Sequence, residues 1–278
     1  MMVDTTSQNA TATSQNTRKG EGLILNNVTV QYRTAGVTST ALHGINMSVH
    51  PGEVVGLVGE SGCGKSTTAK AICGLVPVTD GEVRYEGVAV DPLGFRKRPK
   101  TLQRIQMVFQ NPYASLNPRR KIKAQLEDAR AINEGTAPSV DELLDLVELP
   151  RESANLYPRQ FSGGQRQRIA IARAMATGPS LLIGDEPIAS LDASLQSKVA
   201  MLMKKVTRES GAAMLFISHD LSVVRLIVDR LYVMHEGRIV EEGETEEVWN
   251  HPKNRYTQRL LASIPIPDGS GTLPTVLE

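Results

Sequence analysis

Glu53-Val54-Val55-Gly56-Leu57-Val58-Gly59-Glu60-Ser61-Gly62-Cys63-Gly64-Lys65-Ser66-Thr67 is the stretch whose reading decides the fold. From Gly59 it follows the pattern G-x-x-x-x-G-K-S, that of a phosphate-binding loop. The apolar run before Gly59 suits a buried strand. The residues from Thr67 to Leu75 are good helix formers without proline, so a helix starts near Lys65. Strand, glycine loop and helix together make the pattern a site instead of a chance turn. The glycines allow successive backbone N–H groups to turn inward as an anion nest. The helix start adds its positive end and unpaired N–H groups. Gly59, Ser61, Gly62, Cys63, Gly64, Lys65, Ser66 and Thr67 are therefore candidate nucleotide contacts. Lys65 supplies a point charge for the β- and γ-phosphates, and the Ser66 hydroxyl is a natural Mg²⁺ ligand.

Outward from this loop, the chain alternates strands with helices. Leu23 to Tyr32 has the period of a half-buried strand, Gly36 to Ser39 reads as a hairpin loop, and Leu42 to Val49 as the returning strand. Ile105 to Phe109 is a strand ending at Gln110. From Ser115 to Pro179 strand-like runs vanish, and Val140, Leu143, Leu144 and Val147 fall at helical spacing. Strands resume at Leu181–Gly184, Ala212–Ile217 and Leu231–Met234, with helices over Leu195–Val206 and Leu221–Val228 between them, and Gly237–Glu242 as a hairpin partner. The expected fold is α/β: a P-loop NTPase core with a mainly parallel sheet, an antiparallel β subdomain and a helical subdomain over about 115–179.

Composition excludes several classes. The chain has 278 residues, 40% of them hydrophobic, with a net charge of +1. That charge supplies no field to draw in nucleic acid or anionic lipid. No apolar run approaches the ~18 residues that span a bilayer. The first 20 residues are Ser/Thr/Asn/Gln-rich without a signal-peptide core, which reads as a solvated tail and a cytoplasmic location. Cys63 and Cys73 lack the spacing of a metal site and read as reduced thiols, although a helix N-terminus beside Cys63 would lower its pKa.

Two further motifs narrow the chemistry. Leu181-Leu182-Ile183-Gly184-Asp185-Glu186 is an apolar strand ending in two carboxylates. Asp185 would hold the Mg²⁺ shell, and Glu186, expected to point to the other face of the strand end, would polarise an attacking water. Phe161-Ser162-Gly163-Gly164-Gln165 opens a helix, which makes a second anion site. Two phosphate sites in one chain require two nucleotides or a two-subunit sandwich.

From Leu23 to about Asp268 the chain resembles the nucleotide-binding subunit of an ATP-binding-cassette transporter. The resemblance implies roles for particular residues. Tyr32 matches the aromatic that stacks on adenine, against the plainer reading of a strand tyrosine. Gln110 matches the glutamine that reaches Mg²⁺ and links the site to membrane subunits. Ser162, Gly163, Gly164 and Gln165 match the family signature, preceded by Phe161 where leucine is commoner. Ser190-Leu191-Asp192 matches the loop that crosses a dimer interface, and His219 the switch histidine that contacts the γ-phosphate. Ile188 stands where threonine is usual and Gly184 where alanine is common. On this reading Glu186, His219 and Gln110 are catalytic, Ser66, Gln110 and Asp185 bind metal, and ATP with Mg²⁺ is the cofactor pair.

Ile105 to Pro118, Tyr157 to Ala170, and His251-Pro252-Lys253-Asn254-Arg255-Tyr256-Thr257 resemble the branch serving dipeptide, oligopeptide and nickel importers. The ATPase domain then spans 21–250, followed by a branch-type C-terminal extension over 251–278. Where the branch usually has His-Pro-Tyr-Thr, this chain has Asn254-Arg255-Tyr256-Thr257. No cysteine follows Cys73, so the iron–sulfur cluster of some members is not expected. The implied partners are a second, different ATPase subunit, two transmembrane permease subunits and, indirectly, a substrate-binding protein, at the cytoplasmic face of the membrane and without nucleic acid. Di- or oligopeptides are the expected cargo; the alternatives are an accessory ATPase of a soluble complex such as carbon–phosphorus lyase or a nickel importer ATPase, a cassette acting on DNA or ribosomes, and a non-hydrolysing nucleotide module. The third is disfavoured by the intact Glu186 and His219.

Overall fold

The fold is taken from a computed structural model, which describes residues 21–34, 36–95, 97–111, 115–133 and 137–264. The expected loose tails, 1–20 and from Pro265 onward, lie outside the described residues.

Two sheets enclose one of the two hydrophobic cores between them. The first is antiparallel. β1 (Leu23–Thr34) pairs with β2 (Val37–Val49) on one side and β4 (Asp80–Tyr85) on the other, with β5 (Val88–Ala89) at the edge. The second has six strands. β3 (Val54–Val58), β6 (Ile105–Phe109), β7 (Leu181–Asp185), β8 (Ala213–Ile217) and β9 (Arg230–His235) run parallel, and β10 (Arg238–Glu244) closes one edge antiparallel to β9. Their spatial order is β10-β9-β3-β8-β7-β6.

Burial on both faces explains why the parallel strands read as unbroken apolar runs. Alternate residues of each strand feed opposite cores. Val54 and Val58 of β3 join Met214, Phe216 and Leu182 in the core on the helical side. Val55 and Leu57 join Leu215, Ile217, Leu181 and Ile183 on the side covered by the antiparallel sheet. Leu23, Leu25, Val28 and Val30 of β1 enter that second core, which is why β1 and β2 lie over β3.

The helices are α1 (Lys65–Ile72), α2 (Lys100–Gln103), α3 (Ile122–Arg130), α4 (Val140–Leu146), α5 (Gly163–Ala176), α6 (Ala193–Ser210), α7 (Leu221–Ile227), α8 (Thr245–Asn250) and α9 (Arg255–Ala262). Among the described residues, 115–179 holds no strand. It contains α3, α4, α5 and three short 3₁₀ segments. Val140, Leu143 and Leu144 bury the face that their spacing predicts, and Val147, just beyond α4, is buried with them.

One boundary differs from the sequence reading. Residues 37–39 are strand, not loop, and the hairpin closes at Thr34↔Val37. Val37, Thr38 and Ser39 are exposed. They pair through backbone alone, so no buried side chain marks them in the sequence.

Candidate nucleotide site

In the parallel sheet β3, β8, β7 and β6 are consecutive neighbours, so their carboxyl ends open on one crevice. Ligands of open α/β sheets bind at such a place. The phosphate loop leaves β3, Gln110 follows β6, Asp185 and Glu186 end β7, and His219 follows β8. A cleft of about 430 Å³ is lined by Ala41, Ser61, Gly62, Gly64, Lys65, Ser66, Thr67, Gln110, Glu186 and His219.

The loop depends on its glycines. Gly59 has φ +151°, and a Cβ there would sit 2.1 Å from the Met234 carbonyl oxygen. Gly64, at φ +114°, would bring a Cβ within 2.9 Å of the Ala41 oxygen. Both positions combine a conformation hostile to side chains with a backbone wall. Gly237 N–H donates to the Cys63 oxygen at 2.8 Å, and His43 N–H to the Gly237 oxygen at 2.9 Å, which ties the loop to the antiparallel sheet.

Lys65 is 5% exposed. Its ammonium donates to the Gly59 oxygen at 2.7 Å and the Glu60 oxygen at 2.9 Å, and lies 3.9 Å from Glu186 Oε1. Ser66 Oγ donates to Asp185 Oδ1 at 2.8 Å. Burial pushes the Asp185 carboxyl up, against the hydrogen bond from Ser66, and the neighbouring Glu186 charge adds to the rise. A hydroxyl beside a desolvated carboxylate is a hard oxygen pair suited to Mg²⁺, which is commonly held by one or two protein oxygens plus phosphate and water. No cluster of three or more His, Cys, Asp or Glu side chains suited to a metal occurs among the described residues. The pair therefore fits a metal that shares its shell with a nucleotide.

Glu186 does not continue the alternation of β7. Its φ is +51°, and its N–H donates to the Ile217 oxygen at 3.0 Å. The expected opposite-face placement is thus corrected. The strand ends at Asp185 and the chain turns, so both carboxylates lie at the start of α1, Asp185 on Ser66 and Glu186 beside Lys65. Glu186 Oε2 lies 2.6 Å from His219 Nδ1, while the His219 side chain is 62% exposed. A strained backbone at the acid nearest the lysine is where function commonly holds such strain.

Tyr32 is half-exposed, with its hydroxyl 3.4 Å from Thr67 Oγ1, next to the cleft. Cys63 is buried, and desolvation pushes its thiol up despite the nearby Lys65 charge. The helix-terminus lowering weighed from sequence is outweighed. Burial also pushes Cys73, to about 12.

Ser162, Gly163, Gly164, Gln165 and Asp192 are not among the residues lining this cleft. Ser162 and Gln165 form a reciprocal cap at the start of α5. Ser162 Oγ accepts from Gln165 N–H at 3.3 Å, and Gln165 Oε1 accepts from Ser162 N–H at 2.9 Å. Asp192 caps α6, accepting from Leu195 N–H and Ser194 Oγ. Both departures from the usual pattern have packing partners. A Cβ at Gly184 would meet Pro187 Cγ at 3.0 Å and Met203 Cε at 3.1 Å, and Ile188 is 1% exposed in the core.

The sequence reading missed three groups. Ala41 lines the cleft from β2. Buried Gln167, on α5, donates to the Phe109 oxygen at 3.3 Å, one residue before Gln110, whose own oxygen accepts at 3.3 Å from Ser190 Oγ, read from sequence only as part of the interface loop. Tyr256 Oη accepts from Glu60 N–H at 3.0 Å. Of these only Gln167 carried a signal, a polar residue on the buried face of a capped helix.

A phosphate loop, an acidic strand end and a facing histidine on this sheet define a P-loop ATPase. The profile of the ABC transporter family matches residues 42–189. The chain is 46% identical over 240 residues to the oligopeptide transport ATP-binding protein OppF of Bacillus subtilis (strain 168), covering 83% of this chain and 78% of that protein. It is 46% identical over 230 residues to OppF of Lactococcus lactis subsp. lactis (strain IL1403), covering 81% and 72%. Among solved structures, a dimeric ATP-binding cassette in a post-hydrolysis state with ADP and phosphate superposes with a TM-score of 0.69. It is 31% identical, over 80% of this chain and 98% of that one. The chain belongs to the ABC transporter family, in its peptide-importer branch, as an ATP-binding and ATP-hydrolysing subunit.

Proposed function

We propose that this chain energises the import of di- or oligopeptides, working as one ATPase of an unlike pair on two permease subunits, with a substrate-binding protein delivering cargo. It would lie peripherally at the cytoplasmic face. No helix among the described residues is long and apolar enough to cross a membrane, so the pathway would belong to other chains. The proposed division is an ATPase domain over 21–250, with its helical part at about 115–179, and an extension over 251–278.

The observation that carries this reading is the split of the site. Lys65, Ser66, Gln110, Glu186 and His219 meet in one cleft, while the Ser162–Gln165 cap lies outside it. A second cassette would bring its own cap to this cleft, and this chain's cap would serve the partner's nucleotide. Tyr32 would stack on adenine, and Lys65, its ammonium still held by the Gly59 and Glu60 oxygens, would turn its remaining N–H to the phosphates. Mg²⁺, held by Ser66 and Asp185 with Gln110 reaching its shell, would neutralise phosphate charge when bound. Glu186 would accept the proton of the attacking water, and His219, held through Nδ1 by Glu186, would donate toward the developing charge. Asp192 would cross to the neighbouring subunit.

The test is a native membrane pull-down joined to ATP binding. Two permease chains and an unlike cassette should co-purify, and peptide-loaded binding protein should stimulate ATPase activity. Lys65→Ala should weaken ATP binding about tenfold or more, by loss of a charge-assisted contact. Co-purification of soluble enzymes without permeases would favour an accessory role, and unchanged ATP affinity would refute the loop assignment.

A further inference from the structure

The peptide unit joining Gly59 to Glu60 is held at both ends. Its carbonyl accepts from Lys65 Nζ at 2.7 Å, and its N–H donates to Tyr256 Oη at 3.0 Å. A trans peptide points these two groups in opposite directions. Fixing the N–H toward Tyr256 therefore aims the carbonyl at the ammonium. The constraint matters because Gly59 has no side chain to restrict rotation of this unit. The space where one would lie is closed by the Met234 oxygen. The loop has to be locked from outside.

Tyr256 is built to do this. It is 6% exposed, in the first turn of α9. Its ring stacks on His235 with centroids 3.9 Å apart. Asn254 Oδ1 accepts from Tyr256 N–H at 2.8 Å, and the Glu241 carboxylate accepts from Lys253 N–H and Asn254 N–H. The start of the C-terminal extension is thereby pinned to β10. Burial pushes the phenol up, so it stays a neutral hydroxyl beside the phosphate loop.

We propose that Tyr256 is a positioning residue for ATP binding: through the Gly59–Glu60 peptide it presets the Lys65 ammonium in the phosphate loop. This rests on the reading of Lys65 as a phosphate contact, and it gives the C-terminal extension a direct link to the nucleotide site.

Tyr256→Phe keeps the ring and the stack but removes the acceptor. In the assembled complex the KM for ATP should rise about three- to tenfold, with a smaller change in kcat, the net size of one hydrogen bond. His235→Ala loosens the stack and keeps the hydroxyl, so it should lower Tm while leaving KM within about twofold of wild type. A KM for Tyr256→Phe within about twofold of wild type overturns the proposal. So does an equal rise in both variants, which would mean ring packing and not the hydroxyl. Should Tyr256→Phe not fold, amide exchange on the wild-type complex decides: a protected Glu60 N–H is required, and fast exchange refutes the clamp. Lys65→Ala separates the two readings. Unchanged ATP affinity there refutes the phosphate site itself, whereas weakened affinity with an unaffected Tyr256→Phe refutes only the role of Tyr256.

Discussion

Gly163→Asp separates a site inside one chain from a site shared by two. Gly163 is the first residue of α5, exposed, without a positive φ, and a Cβ there meets nothing within 4 Å. The first turn of α5 holds no acidic residue. An aspartate there gains about 0.3–1 kcal/mol from the helix dipole. Removing a glycine at a compatible position adds about 0.4–1 kcal/mol. The isolated chain should therefore melt at the same temperature or slightly higher. Its own cleft does not include Gly163, so its affinity for a fluorescent ATP analogue should stay within about twofold. The assembled complex should behave differently. A carboxylate brought to about 5 Å from a partner-bound phosphate, at an effective dielectric of about 20, costs about 3 kcal/mol per unit charge. That is a loss of roughly a hundredfold in closure of the site that uses this surface. The assay is phosphate release by the reconstituted complex, with melting and ATP binding of the isolated chain as controls. With this chain's own cleft silenced by Lys65→Ala, so that only the partner's site turns over, release within about twofold of that background would refute the shared-site argument.

Two further substitutions probe the carboxylates. Burial holds Asp185 above the usual carboxylate range, so its ionisation costs the nucleotide-free fold stability at neutral pH. Asp185→Asn should raise Tm by roughly 2–4 °C there, and the gain should shrink as pH falls through the raised pKa, where the wild type takes up a proton. The extra melting stability conferred by Mg-ATP should be lost in the same variant; an unchanged Mg-ATP shift would exclude Asp185 from the metal shell. Glu186→Gln should retain ATP, release phosphate about a hundredfold or more slowly, and accumulate closed dimer in sedimentation of the assembled complex. Normal phosphate release would remove Glu186 as the base.

Much of this was legible because the site sits at ends of buried strands. Val54–Val58, Leu181–Gly184 and Ala213–Ile217 are apolar runs followed directly by the phosphate loop, Asp185-Glu186 and Ser218-His219, and adjacency in a parallel sheet converts those ends into one cleft. Less legible were features fixed by contacts distant in sequence. Residues 37–39 pair by backbone alone and carry no burial pattern. The turn at Glu186 depends on its bond to Ile217, 31 positions on, and alternation could not foresee it. Tyr256 reaches Glu60 across 196 positions, and nothing in its own neighbourhood marks it as facing the phosphate loop. The cap formed by Ser162 and Gln165 was written in the local sequence, but its place outside the Lys65 cleft required the fold.

The central claim is that one chain holds half of each working ATP site. It is tested most directly by ATP turnover per site, measured for the isolated chain at dilute concentration and for the assembled complex under the same Mg-ATP. The account predicts that the isolated chain binds ATP yet hydrolyses it at least about tenfold more slowly per site, because stabilisation of the transferred phosphoryl waits for the partner's cap. A dilute monomer that turns over as fast per site as the complex would contradict it.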